Sequence, residues 1–279
     1  MSGDGFIYGV TDASSIDNSR LLASGFVPFV CGDMAKRVDP AAVFPGVKSI
    51  LVVGVPYGAG SFYSNLSSLG AYEDYHKRVK DVLRAKADEL ARIHGPFKYK
   101  ILVDGPALCE RSLAVRAGLG FFGKNGLVIS PEFGSRFNIG IMLTDIPEEE
   151  LCLEGKVNLN HTANVSYCPE DCDICIRNCP TGALNEGKPL DVNLCISYLT
   201  QKEELTKDEE KRLHGQLYGC DICQNVCPKN ARIEAEHINP EEILALDEIT
   251  GKFGHTAMSF KIHLLKRNAL IAISKKTLK

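Results

Sequence analysis

No apolar run in this 279-residue sequence approaches the length of a bilayer-spanning helix. The longest candidate, Ile50 to Val55, is short, β-branched and closed by Pro56, so it reads as a buried strand. A membrane partner is therefore not expected. The opening Met1-Ser2-Gly3-Asp4-Gly5 has no basic segment leading into an apolar one, so the mark of a secreted chain is missing, and with it the oxidising setting that disulfides require. A reducing cytoplasm is the expected location. Low-complexity linkers are absent too, and a net charge of −3 argues against a surface coated with nucleic-acid-binding charge. Acidic residues run out after Glu248, while Lys252, Lys261, Lys266, Arg267, Lys275, Lys276 and Lys279 follow. Taken alone, such a tail reads as a solvated helix face and a frayed end.

Cysteine is what the chain has in an organised excess. Eight of its 11 cysteines form two groups: Cys168, Cys172, Cys175 and Cys179 before Pro180, then Cys195, Cys220, Cys223 and Cys227 before Pro228. Two runs ending Cys-x2-Cys-x3-Cys-Pro are the signature of a protein holding two 4Fe-4S clusters, in which the last cysteine of each run crosses to the other cluster. On that logic Cys168, Cys172, Cys175 and Cys227 hold one cluster, and Cys179, Cys195, Cys220 and Cys223 hold the other. Structural zinc prefers two separated pairs, often with histidine. The first gap, Cys168-x3-Cys172, is one residue longer than usual and sets Cys168 apart from the other seven. Cys31, Cys109 and Cys152 lie outside the motifs and read as reduced, inert thiols.

The first half alternates strand and helix patterns: strands at Ile50 to Val55 and Tyr99 to Val103, and a helix from Tyr72 to Ile93 with Val79, Leu83, Ala87 and Leu90 on one face. This predicts an α/β layered domain over 1–150. A helix through Leu108, Leu113 and Val115 and strands at Leu127 to Ser130 and Phe137 to Leu143 complete it. The acidic run after Pro147 marks a boundary, beyond which a double-cluster domain spans 151–235 with helical character over Asp191 to Leu199 and Asp208 to Leu217. C-terminal helices fill 236–279. Gly118-x-Gly120-x-x-Gly123 matches the dinucleotide fingerprint in form, but it follows a helix and leads into a strand, the reverse of the required context. Its glycines imply either a close approach of main chain or positive φ.

Asp104-Gly105-Pro106-Ala107-Leu108-Cys109-Glu110-Arg111 followed by Arg116-Ala117-Gly118-Leu119-Gly120-Phe121-Phe122-Gly123-Lys124-Asn125 resembles the epoxyqueuosine reductases. The likeness extends upstream to Asp74-Tyr75-His76-Lys77 and downstream to Cys195-Ile196-Ser197-Tyr198-Leu199-Thr200 and Tyr218-Gly219-Cys220-Asp221-Ile222-Cys223-Gln224. The resemblance implies a fold of class α/β (α+β): a nitroreductase-like cobalamin-binding domain, a ferredoxin-like two-cluster 4Fe-4S domain and a short helical C-terminus. Phe253 to Phe260 and Arg267 to Ala272 resemble the lead-in to the family's helical-repeat domain, so this chain is expected to be a short form without it.

The implied cofactors are two 4Fe-4S clusters and cobalamin, and the implied reaction removes the epoxide oxygen of epoxyqueuosine in tRNA with two electrons and two protons. Asp104 matches the catalytic aspartate and a cofactor contact; the alternative from pattern alone is an N-cap for the next helix. Lys124, Asn125, Ile129, Ser130, Ser135 and Gly140 match the segment that touches cobalamin, as does Ser197. Lys124 also suits a surface and Ser197 a turn cap. Tyr75 and His76 match substrate-pocket positions, against packing or capping at a helix start. Implied partners are the epoxyqueuosine-bearing tRNA and a small electron donor such as ferredoxin or flavodoxin. Two other functions fit the same features: a ferredoxin-like electron-transfer protein without substrate chemistry of its own, and a cobalamin-dependent reductase or dehalogenase of a small molecule.

Overall fold

The β-branched run forms the strand expected of it. In the computed structural model, which describes residues 5–17, 19, 33–57, 62–68, 74–105, 107–151, 168–246 and 261–276, strand β2 runs Ser49–Pro56 and is buried from Ser49 to Val55. It sits inside a four-stranded sheet of order β1 (Ile7–Asp12), β2, β4 (Phe137–Thr144), β3 (Tyr99–Val103). Every pairing is antiparallel. The rule that places site residues at the carboxyl ends of parallel strands therefore does not apply to Asp104, and its position rests on the turn it occupies.

Contacts divide the chain into two units, Met1–Leu22 with Pro28–Pro56 and His76–Pro169, and Ala23–Val27 with Tyr57–Tyr75 and Glu170–Lys279. In the first, helix α1 (Tyr75–His94) buries Val79, Leu83, Ala87 and Leu90, as its spacing predicts. It approaches the sheet at Gly140, where an added Cβ would stand 2.3 Å from Val79 Cγ1 and 3.0 Å from Leu83 Cδ1. Side chains alternate across a strand, so the opposite face carries Ile50, Val52, Ile141 and Leu143, which pack with Leu113, Ala114 and Val115 of helix α2 (Glu110–Arg116). Strand β1 and the short helices Met34–Val38 and Pro40–Val43 are additions to the sequence expectation. Asp33 and Asp39 cap those two helices by accepting from Ala35 and Ala41 N–H.

In the second unit the cysteine motif is duplicated in structure. Helices α3 (Ile174–Arg177) and α4 (Ile222–Asn225) each follow an aspartate and pack against one another. The stretches predicted as helices over Asp191 to Leu199 and Asp208 to Leu217 are shorter than expected, Ile196–Leu199 and Lys207–Arg212. Asp191 turns its carboxylate back onto Asn193 N–H, which delays the first. His214 and Gly215 at φ 48° and 77° block extension of the second. The C-terminal helix α5 (Ile262–Lys276) buries Leu264, Leu265, Asn268, Ala269 and Ala272.

Residues 62–68 pack into this unit although they lie over 100 positions upstream of its cysteines. Phe62–Tyr63 pairs in parallel with Ala235–Glu236, and Leu66 bridges Tyr218. Asn65 donates from Nδ2 to Ile238 O and accepts from Ile238 N–H at Oδ1, a two-point match to a backbone edge.

Candidate active site and cluster ligands

Strand β3 ends at Val103, paired with Gly140, and the chain then turns at Asp104 with φ +48°. Asp tolerates this left-handed conformation better than most residues, because its short side chain bonds locally. The turn leaves the carboxylate 69% exposed, with Oδ2 3.9 Å from His76 Nε2 near the start of α1. That separation is an ion pair when the imidazole is protonated and too long for a hydrogen bond. The helix after the turn starts at Glu110 with Cys109 at its N-cap, so Asp104 is not that cap.

Glu110 belongs to the same turn. Its Oε1 accepts from Gly105 N–H at 3.2 Å, closing the loop that carries Asp104. Burial of the carboxyl, then the neighbouring Asp104 charge, push Glu110 up to about 8. It therefore holds a proton at neutral pH beside an exposed aspartate, two carboxyl groups set apart by environment. In the sequence it was marked as part of the Asp104 to Arg111 segment, six residues beyond Asp104, without a role of its own.

The glycine-dense stretch follows helix α2 and enters a hairpin of Phe121–Phe122 with Val128–Ile129. Its close approach is to the protein itself: a Cβ on Gly120 would meet Ile129 O at 2.2 Å, and one on Gly123 would meet Ile129 Cδ1 at 2.5 Å. Ile129 is buried by this contact. Ser130 spends its hydroxyl accepting from Glu132 and Phe133 N–H. Gly140 is held in register between Val53 and Val103. Asn125 is buried; its Oδ1 accepts from Leu127 N–H, while its Nδ2 donor has no hydrogen-bond partner among the described residues. Lys124 lies partly buried beside it and Ser135 is buried nearby in sequence. Ser197 falls in the other unit, where its carbonyl accepts from Thr200 Oγ1 and Gln201 Nε2. Tyr75 opens α1.

All eight motif cysteines are half-buried. Burial first, then Cys195 and Cys179 among its neighbours, push the Cys220 thiol up to about 12. Cys223 is driven well above its ordinary value by burial and by Cys220, Cys195, Asp221 and Cys175. Sulfurs crowded in this way carry charge only beside a cation, which is what iron supplies. At Cys179 burial works against ionisation, but hydrogen bonds from Leu184, Thr181 and Ala183 outweigh it and lower the value. Among the described residues no three Cys, His, Asp or Glu side chains converge on a single metal ion. Cys31 and Cys152 lie outside the described residues; Cys109 receives Arg37 Nη2 at 3.9 Å.

The basic tail is partly spent in the fold. Arg267 donates to the carbonyls of Lys202, Glu203 and Thr200, and Lys275 to those of Glu210 and Lys211. Neither is a free phosphate ligand. Lys252 and Lys279 lie outside the described residues.

Residues 37–105 match the family described as epoxyqueuosine reductase QueG, DUF1730, and residues 168–230, starting on Cys168, match the 4Fe-4S double cluster binding domain. An epoxyqueuosine reductase from Lactococcus garvieae is 32% identical over 271 residues, covering 86% of this chain and 73% of the relative. A solved epoxyqueuosine reductase carrying an epoxyqueuosine-modified tRNA-Tyr stem loop aligns with TM-score 0.78 at 29% identity, over 96% of this chain and 77% of that one. Another, from Bacillus subtilis and described with its aspartate catalytic loop swung out of the active site, aligns with TM-score 0.76 at 29% identity over the same 96% and 77%. Among the described residues no helix is long and apolar enough to cross a membrane.

Proposed function

Because the chain belongs to the epoxyqueuosine reductase family, we propose that it reduces epoxyqueuosine to queuosine in tRNA, with Asp104 as the proton donor. The observation that carries the reading is the turn itself: an exposed aspartate on a loop, 3.9 Å from His76 and anchored by the protonated Glu110. A relative described with its aspartate catalytic loop swung out of the active site supports the same role for it. Breaking the C–O bond of an epoxide leaves an alkoxide, so an acid must stand beside the leaving oxygen. Asp104, open to solvent, takes up a proton from water and delivers it to that oxygen; His76 stands 3.9 Å from its carboxylate, and Tyr75 contributes to the substrate pocket.

Electrons enter through two 4Fe-4S clusters, one on Cys168, Cys172, Cys175 and Cys227, the other on Cys179, Cys195, Cys220 and Cys223. The crowding of Cys220 with Cys195 and Cys179 supports the second grouping. Cobalamin, when bound, supplies low-valent cobalt that delivers electrons as a pair. The unpartnered Nδ2 of Asn125 is a donor suited to the amide-rich rim of such a group, so Asn125, Lys124 and Ser135 are the side chains assigned to it. Ile129, Ser130 and Gly140 shape the hairpin and sheet beside them; Ser197 is assigned to the cofactor through the resemblance alone. A ferredoxin or flavodoxin in a reducing cytoplasm is the assigned donor.

The test is anaerobic reconstitution with iron, sulfide and cobalamin, then incubation with an epoxyqueuosine-containing tRNA stem loop. The product should weigh one oxygen atom less. Clusters without corrin absorption and without product would favour an electron-transfer protein instead. Asp104→Asn should retain both cofactors and lose turnover; substantial activity in that variant removes Asp104 from its role.

A further inference from the structure

The duplicated motif carries the same lead-in twice, Cys172-Asp173-Ile174-Cys175 and Cys220-Asp221-Ile222-Cys223. Both aspartates share one backbone conformation, φ −126° and ψ 13° at Asp173, φ −113° and ψ 13° at Asp221, each at the start of a four-residue helix. Their surroundings differ. Asp173 is 41% exposed and its Oδ1 accepts from Arg177 Nε at 2.8 Å, so a guanidinium offsets its charge in contact with water. Asp221 is 6% exposed. Its Oδ1 accepts from Ser67 Oγ at 2.9 Å and Gln224 Nε2 at 3.0 Å; its Oδ2 accepts from Ser68 N–H at 2.7 Å and Ser68 Oγ at 2.6 Å. Four donors on two oxygens is the pattern of an ionised carboxylate, which can only accept. All four donors are neutral, so the site holds a buried net charge.

Such a charge acts on whatever is reduced beside it. Cluster potentials follow net charge, hydrogen bonding and solvent exposure, and an added electron is repelled by a fixed anion that water does not screen. Asp221 directly follows Cys220 and stands two positions before Cys223, so its charge lies beside both ligands. We propose that Asp221 splits the potentials of two otherwise similar clusters, lowering the one on Cys179, Cys195, Cys220 and Cys223 so that the first electron taken up settles on the other. This rests on the ligand grouping above. It also gives residues 62–68 a function: they carry the two serines whose hydrogen bonds enclose the anion.

Redox titration of the reconstituted full chain, with each reduced cluster followed by electron paramagnetic resonance, tests the proposal. Wild type should show two separated couples. Asp221→Asn should raise the lower couple by at least tenfold in its reduction equilibrium, about 59 mV for one electron, and narrow the gap; Asp173→Asn should change the gap far less. Coincident wild-type couples, or an Asp221→Asn protein whose couples stay where they were, overturn it. Cys195→Ser identifies which signal belongs to the second group. If the couple that Asp221→Asn shifts is the other one, the grouping fails while the charge effect stands. Should Asp221→Asn load less iron, Ser68→Ala removes one donor and keeps the charge; the lower couple should then fall further, and an unmoved couple again overturns the proposal.

Discussion

Glu110→Gln isolates one buried proton. The unfolded chain releases it near the ordinary value of 4.5 and the folded chain at about 8. Below 4.5 both states hold the proton and stability is unaffected. Between the two values the folded state alone keeps it, so stability falls as pH rises and levels off above 8. The interval is about 3.5 units at about 1.36 kcal/mol each, a ceiling of about 5 kcal/mol. Glu110 keeps some contact with solvent, which lowers the expected penalty to about 2 kcal/mol at pH 8.5 relative to pH 5. Glutamine accepts the same Gly105 N–H bond and has no proton to lose. The Gln variant should therefore gain about 2 kcal/mol on wild type between pH 5 and 8.5, read as a difference in urea midpoints on the cluster-loaded protein under anaerobic conditions. An infrared band of a protonated carboxyl should disappear near pH 8 in wild type and be missing from the variant. Parallel stability curves for the two proteins, or a band that titrates near 4.5, would refute the placement of this proton.

Gly140→Ala should lose about 1–3 kcal/mol, because its Cβ would stand 2.3 Å from Val79 Cγ1 and force α1 off the sheet; a thermal melt measures it. Asn268→Ala should cost about 2–3 kcal/mol, since it strands the buried carbonyls of Thr200 and Leu217 that Nδ2 serves at 2.9 and 2.7 Å, and circular dichroism in urea reads the loss. Reversing Lys261 and Lys266 to Glu should weaken binding of a tRNA stem loop and flatten its salt dependence. Arg267→Ala, by contrast, should lower stability while leaving the salt slope in place, because that guanidinium is bound to backbone carbonyls.

Much of the architecture was legible because its causes are local. The run Ile50 to Val55 reads as a buried strand, and the three- and four-residue spacing of Val79, Leu83, Ala87 and Leu90 reads as one face of a helix. Local signals also overreached. Helical character over Asp191 to Leu199 ignored the pull of the Asp191 carboxylate on Asn193 N–H, and the second stretch stops where His214 and Gly215 adopt positive φ. Both readings of the glycines of 118 to 123 occur, positive φ at Gly118 and close approach at Gly120 and Gly123, but the object of that approach, Ile129 of the same hairpin, was not legible. Strand order and direction were invisible, since a strand's residues do not name its partner.

The sequence alone determined the cluster chemistry: thiolate number and spacing are covalent facts, and the doubled Cys-x2-Cys-x3-Cys-Pro run carries them in order. It also pointed, through motif, to Asp104 as the proposed proton donor. Tertiary structure decided what surrounds those groups. Ser67 and Ser68 reach Asp221 across 154 and 153 positions, and Asn65 reaches Ile238 across 173. The proton on Glu110 follows from burial of its carboxyl, and the charge on Asp221 is held against burial by the hydrogen bonds of those serines. Two aspartates identical in local sequence thus become one screened and one buried, because burial is a property of the folded chain and not of the motif.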